Sequence, residues 1–248
     1  MKKPSQYHKS HGKQKFIENI DNNFPVNSAN RKFRKEFHYI PLNRHQKEYY
    51  ESMMDNVLTI GIGSAGTSKT YTACAFASEE MFYDNYDKII LCRANVSTGK
   101  SLGAFPGDVT EKLKVWLMNL ISYLKEMNSS GAIDCWMKGD HPKLILEPIE
   151  TIRGRSFNDA IIIVDEAQQL SLDEIKCITT RIGTNSKMIL CGDIAQTDIK
   201  GPSGILKFIN MVKKHNIDNI GITEFTNDDI VRSDIVRDLI LMYEKEHV

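Results

Sequence analysis

The run Val57-Leu-Thr-Ile-Gly-Ile-Gly-Ser-Ala-Gly-Thr-Ser-Lys-Thr-Tyr-Thr-Ala-Cys-Ala75 permits few folds. Val57 to Ile62 predicts a short buried strand, Gly63 to Ser68 a glycine-rich turn, and Lys69-Thr70 the opening of an alanine-rich helix. The free N–H groups at such a helix start, together with the turn amides, form a concave nest for anionic oxygens. Lys69 adds a mobile positive charge suited to β and γ phosphates, and the Thr70 hydroxyl is a Mg²⁺ ligand of the right hardness. The usual spacing is Gly-x-x-x-x-Gly-Lys-Ser/Thr, and here Ser68 stands where the second glycine belongs. If the backbone there requires φ above zero, a residue with a Cβ costs roughly 1–2 kcal/mol. A plain Gly/Ser turn with a solvated lysine is the competing reading of this segment.

A chain of 248 residues with 41% hydrophobic content can bury one sizeable core, or a core and a small lobe. The formal net charge is zero, so no global field draws it to nucleic acid or an acidic membrane, although local patches can. The five cysteines (Cys74, Cys92, Cys135, Cys177, Cys191) have no metal-binding spacing, and four of them are expected as small buried hydrophobes in a reducing compartment. No apolar run reaches membrane length and the N-terminus lacks a signal-peptide pattern. The expectation is a soluble cytoplasmic protein, bacterial or phage-encoded.

Residues 1–37 are polar and locally basic, with Lys2, Lys3, Lys9, Lys13, Lys15, Arg31, Lys32, Arg34 and Lys35. They read as an N-terminal arm, either touching nucleic-acid phosphates or simply solvated, ahead of a folded domain over 38–248. Asn43 is placed to cap a helix that carries Gln46 in its first turn. The Gln46 amide matches the N6/N7 edge of adenine, or else it is an ordinary surface residue.

Beyond the loop helix, Lys88 to Cys92 predicts a core strand delivering Arg93 and Asn95 at its carboxyl end, where α/β sheets place ligands. Val96 to Asp108 reads as a functional loop. Val109 to Met127 reads as one amphipathic helix, with Leu113, Trp116, Leu117, Leu120, Ile121 and Leu124 on its stripe. Asn128 to Pro142 reads as a turn-rich break, and Leu144–Glu147 and Ile149–Ile152 as short extended runs. Ile161 to Val164 predicts a central strand with Asp165 and Glu166 at its tip. Paired carboxylates there suit Mg²⁺ chemistry: Asp165 holds the ion or its waters, and Glu166 polarises water for attack on a γ-phosphate. A solvated acidic turn is the alternative.

Ser171 to Thr180 reads as a helix with a Ser171/Glu174 capping box, closed by Arg181-Ile-Gly183. Lys187 to Cys191 is another strand, ending in Gly192-Asp193-Ile-Ala-Gln196, whose Asp193 and Gln196 can sense the γ-phosphate or the attacking water. A helix over 201–215, a strand over 220–225 and a closing amphipathic helix over 235–243 complete the pattern. The last of these is expected to turn Val236, Leu239, Ile240 and Tyr243 inward.

In this order the motifs resemble the PhoH-like ATPases, whose core is related to the first RecA-like domain of superfamily-1 helicases. The resemblance rests on Gly63 to Thr70, Gly99-Lys-Ser-Leu-Gly-Ala-Phe-Pro-Gly-Asp108, Arg153-Gly-Arg-Ser-Phe-Asn-Asp159, Asp165-Glu-Ala-Gln168, Thr180-Arg-Ile-Gly183 with Ser186-Lys-Met188, Gly192 to Gln196, and Asp229-Ile-Val-Arg232. It implies an α/β, RecA-like P-loop NTPase fold with a mainly parallel sheet flanked by helices. It further implies ATP with Mg²⁺, the nucleotide held by Gln46 and by Gly63, Ser64, Ala65, Gly66, Thr67, Ser68, Lys69, Thr70 and Tyr71, and the metal by Thr70 and Asp165. Glu166 would drive hydrolysis, Gln196 would sense the γ-phosphate, and Arg181 and Arg232 are candidates to neutralise transition-state charge, in cis or across a subunit boundary. No attached RNA-binding or nuclease domain is visible, so a coupled nuclease function does not transfer.

The function expected is an ATPase acting on single-stranded nucleic acid, RNA favoured, as an oligomer such as a hexameric ring. The alternative is an ATP-gated binding or assembly module with little hydrolysis. A small-molecule kinase or a GTPase lacks its own signatures here.

Overall fold

A computed structural model describes residues 37–94, 109–193 and 203–246, with the backbone alone for 109–112. The residue 1–36 arm, Asn95, the 96–108 loop and Gln196 lie outside the described residues.

Helix α1 (Arg44–Asp55) leads into β1 (Leu58–Gly63), α2 (Lys69–Phe82) and β2 (Lys88–Arg93). Then come α3 (Val109–Trp116), α4 (Met118–Met127), α5 (Ser130–Trp136) and β3 (Leu144–Leu146). The chain closes with β4 (Ala160–Asp165), α6 (Leu172–Thr179), β5 (Lys187–Gly192), α7 (Gly204–His215), β6 (Ile220–Phe225) and α8 (Asp234–Glu246). The six strands form one sheet, ordered β3-β2-β4-β5-β1-β6, and every pairing is parallel. This is the α/β architecture expected of the motif order.

Parallel strands covered on both faces should be apolar at every position, because alternate side chains point to opposite helical layers. In β2, β4 and β5 that is what happens. Ile89, Leu91, Ile161, Ile163, Ile189 and Cys191 face one core with α2, α4 and α5. Ile90, Cys92, Ile162, Val164, Met188 and Leu190 face a second core with α6 and α7. Each fully buried Ile or Leu contributes roughly 1.5–3 kcal/mol. Helix α2 is buried nearly all round, with Ala73, Cys74, Ala75, Phe76, Ala77 and Met81 all inside. Gly61 in β1 has a specific reason: a Cβ there would meet the Tyr49 ring at 2.6 Å.

The caps fall where the sequence placed them. Asn43 accepts from the Gln46 N–H at 2.8 Å, and Ser171 and Glu174 close their capping box. Several expectations need correction. The single helix over 109–127 is interrupted at Leu117 (φ −91°, ψ 8°), although its apolar stripe is buried as predicted, with Trp116 partly so. The break over 128–142 contains α5, because Ser129 accepts from the Ala132 N–H and Ile133 finds the core. Ile149–Thr151 is a 3₁₀ turn after Pro148 rather than an extended run.

Of the cysteines, Cys74, Cys92 and Cys191 are buried, but Cys177 only partly, and Cys135 is exposed. The inward face expected of α8 is not inward: no residue of this helix is buried, and Leu239 is 41% and Tyr243 51% exposed. Among the described residues, no helix is long and apolar enough to cross a membrane.

Candidate functional site

The carboxyl ends of the inner strands are level with one another. Register pairs Gly63 with Phe225, Ile62 with Gly192 and Arg93 with Asp165, so the loops leaving β1, β2, β4, β5 and β6 emerge along one edge. Along that edge lies an open groove of about 300 Å³. Ala65 to Tyr71, Asp165, Glu166, Gln168, Asp193, Tyr123 and Arg232 line it.

The loop between β1 and α2 has demanding geometry. Gly63 adopts φ +140°, and a Cβ there would lie 2.3 Å from the Phe225 carbonyl oxygen, so no side chain fits. Gly66 adopts φ +78° beneath the Arg232 side chain. Ser68 does sit in the left-handed region (φ 67°, ψ 21°), and its side chain makes no capping hydrogen bond. The strain anticipated for a non-glycine residue is therefore present.

The Lys69 ammonium donates to the carbonyls of Gly63 (2.8 Å) and Ser64 (2.7 Å) and to Thr67 Oγ1 (3.0 Å). Burial lowers its pKa, opposed by the negative charges of Asp193, Asp165 and Glu166. The lysine thus lies in the cup of the loop. Thr70 Oγ1 donates to Asp165 Oδ1 at 2.8 Å, joining the two motifs across the sequence. Burial, then the neighbouring Glu166 charge, raises Asp165 above the usual carboxylate range, with the Thr70 hydrogen bond acting against them. A hydroxyl and a carboxylate oxygen side by side are hard donors that fit Mg²⁺, which keeps waters and phosphate oxygens as its remaining ligands. Among the described residues no group of three or more His, Cys, Asp or Glu is placed to hold a metal ion.

Glu166 takes the left-handed conformation (φ 54°, ψ 36°) just past the end of β4. Its Oε1 accepts from Arg93 Nη2 at 3.0 Å and its Oε2 from Gln168 Nε2 at 2.7 Å. Gln168, fully buried, also accepts from the Asp193 N–H at 2.9 Å, so one side-chain amide joins the tips of β4 and β5.

Tyr71 and Tyr123 meet edge to face at 5.3 Å on the groove's rim. Gln46 is not a surface residue. It is 1% exposed, its Oε1 accepts from the Leu42 N–H and the Tyr39 hydroxyl, and its Nε2 reaches the Thr67 carbonyl at 3.4 Å. It therefore abuts the loop but does not line the groove, and reading an adenine edge would require it to change partners.

The two candidate arginines separate. Arg232, from the segment ahead of α8, lies over Gly66 of the β1–α2 loop, anchored by the Val231 N–H donating to the Gly66 carbonyl at 2.9 Å. Arg181 is at the far edge: its carbonyl accepts from the Phe157 N–H, ahead of the first residue of β4. The five steps of β4 to Asp165 span about 17 Å. Arg181 Nη1 donates to the Arg155 carbonyl and Nη2 to Thr180 Oγ1, while its Nε is buried without a hydrogen-bond partner among the described residues. Sequence reasoning missed the Arg93–Glu166 pair and Tyr123, since neither belongs to a local motif.

A parallel sheet whose β1 feeds a glycine-rich loop and helix start, with a Thr–Asp contact to the tip of β4 across the intervening β5, defines a RecA-like P-loop NTPase fold. The large terminase of a thermophilic bacteriophage shares this fold, with a TM-score of 0.53 at 15% identity over 83% of this chain and 50% of that one. A family model described as PhoH-like protein matches residues 39–244, and the chain belongs to the PhoH-like family. A PhoH-like protein of Bacillus subtilis (strain 168) is 36% identical over 211 residues, 82% of this chain and 63% of the relative. The PhoH protein of Escherichia coli (strain K12) is 29% identical over 77% of this chain and 54% of its own length. The chain thus spans less than two thirds of these relatives.

Proposed function

We propose that this protein is a Mg²⁺-dependent ATPase that acts as an oligomer on single-stranded nucleic acid, with RNA the favoured substrate. The observation that carries the reading is the Thr70–Asp165 hydrogen bond with Glu166 beside it, in a groove floored by the phosphate-loop amides. Loop amides from Gly63 to Thr70 and the Lys69 ammonium would bind the β and γ phosphates. Thr70 and Asp165 would hold Mg²⁺, which when bound neutralises phosphate charge. Glu166 accepts a proton from water as the water oxygen bonds to the γ-phosphorus. The bond from that phosphorus to the bridging oxygen breaks, leaving ADP and phosphate.

Gln46 and Tyr71 are assigned to the base side of the nucleotide, Asp193 and Gln196 to sensing the γ-phosphate, and Arg232 to neutralising charge in its own groove. Arg181, a strand's length away, would serve the groove of a neighbouring copy. Movement along a strand needs a second surface for the ATP groove to close against, and that surface is assigned to a neighbouring copy in a ring or another oligomer, a hexamer being the natural case. Residues 1–37 are assigned to a basic arm and 38–248 to the ATPase domain.

The test is Mg²⁺-dependent ATP turnover with and without single-stranded RNA or DNA, in wild type and Lys69→Ala. Turnover that rises with one polymer and is lost in Lys69→Ala supports the proposal and names the polymer. The strain at Ser68 favours one second reading, an ATP-gated binding module. Tight ATP binding with negligible turnover, unchanged by Glu166→Gln, would establish it instead.

A further inference from the structure

The carboxylate assigned as the base does not face the groove freely. Arg93 is the last residue of β2, in register with Asp165. One arm of its guanidinium donates to Glu166 Oε1 at 3.0 Å and the other to the main-chain carbonyl of Trp116, at the end of α3. One planar fork therefore couples the tip of β4 to the junction of α3 and α4. The two side chains are 22% and 29% exposed, sheltered enough for their attraction to matter and open enough for an anion to compete.

The guanidinium holds the carboxylate in one orientation. It also occupies an oxygen that water would approach. Arg93 is not needed to shape the phosphate loop, and neither of its partners belongs to that loop. We infer that Arg93 is a positioning residue that restrains Glu166, keeping turnover low until a phosphodiester of single-stranded nucleic acid takes the guanidinium and frees the base. A guanidinium matches phosphate oxygens with the same two-pronged geometry that it offers a carboxylate, so the exchange replaces one charge-assisted pair by another. This inference rests on the ATPase reading and gives that reading its control step.

The experiment measures kcat and KM for ATP in wild type, Arg93→Gln, Arg93→Lys and Glu166→Gln, each with and without single-stranded oligo-U or oligo-dT. Arg93→Gln should raise polymer-free kcat by roughly 10–100-fold, a fraction of what a freed general base can supply. KM should be nearly unchanged and little further stimulation should follow on adding polymer. A merely structural role would not raise kcat at constant KM. Arg93→Lys, keeping charge without the fork, should fall between the two.

A kcat for Arg93→Gln at or below wild type, with stimulation intact, overturns the restraint and leaves the ATPase reading standing. Turnover that survives Glu166→Gln removes the base assignment, and the restraint with it. If wild type is silent under all conditions, turnover appearing in Arg93→Gln supports the restraint, whereas continued silence defeats both readings.

Discussion

At Ser68 the left-handed backbone carries a side chain that makes no capping bond, so nothing visible offsets the strain. Ser68→Gly should remove roughly 1–2 kcal/mol of it while adding roughly 0.5–1 kcal/mol of unfolded-chain entropy. The net expectation is a gain of the order of 0.5–1 kcal/mol, read as a higher urea midpoint at constant slope. A lower midpoint would mean that the serine hydroxyl has a structural role outside this geometry. The loop's chemistry was legible in the sequence because it is local: Gly63, Gly66, Lys69 and Thr70 act through backbone within a few residues of one another. The surroundings of Glu166 were not, because Arg93 arrives from another strand 73 residues away.

At the scale of elements, apolar stripes divide into those that have a partner and those that do not. Leu120 on α4 is fully buried in the core shared with α2 and α5, and Leu120→Ala should cost about 2–5 kcal/mol in chemical denaturation. Leu239 on α8 occupies an equally convincing stripe in sequence yet is 41% exposed, and Leu239→Ser should change stability by less than about 0.5 kcal/mol. Equal costs for the two substitutions would contradict this packing. Periodicity reveals that a helix has an apolar face, but not whether the fold supplies a surface to cover it. Helix α5 shows the converse. Seven residues with one buried isoleucine are too short for a periodic signal, and capping by Ser129 together with the neighbouring core makes them helical.

Across the whole molecule, Lys187 ties the end of the first helix to the middle of the sheet. Its ammonium donates to the carbonyls of Met54 (2.9 Å) and Asn56 (2.6 Å) at the end of α1. Burial lowers its pKa from the ordinary 10.5 to about 8. Between about pH 8 and 10.5 the unfolded chain therefore binds more protons at this site than the folded one. The resulting penalty is full below that window, shrinks as pH rises through it and is absent above it. Comparing the unfolding free energies of wild type and Lys187→Met isolates this group from the tyrosines that titrate nearby. Wild type should gain on the variant as pH rises through the window, and parallel curves would refute the assignment.

Hydrophobic period and short-range hydrogen bonding are enough to specify the strands of the sheet interior, the phosphate loop, the Asn43 and Ser171 caps and the acidic pair at the end of β4. Each of these can be read from the order of residues along the chain. Other features were settled by packing alone: Gln46 is buried against the loop, Arg232 overlies its own groove while Arg181 sits at the opposite edge, and Arg93 holds Glu166. Those outcomes depend on strand order and register, in which residues far apart in the chain become neighbours. No local pattern of residues carries that information.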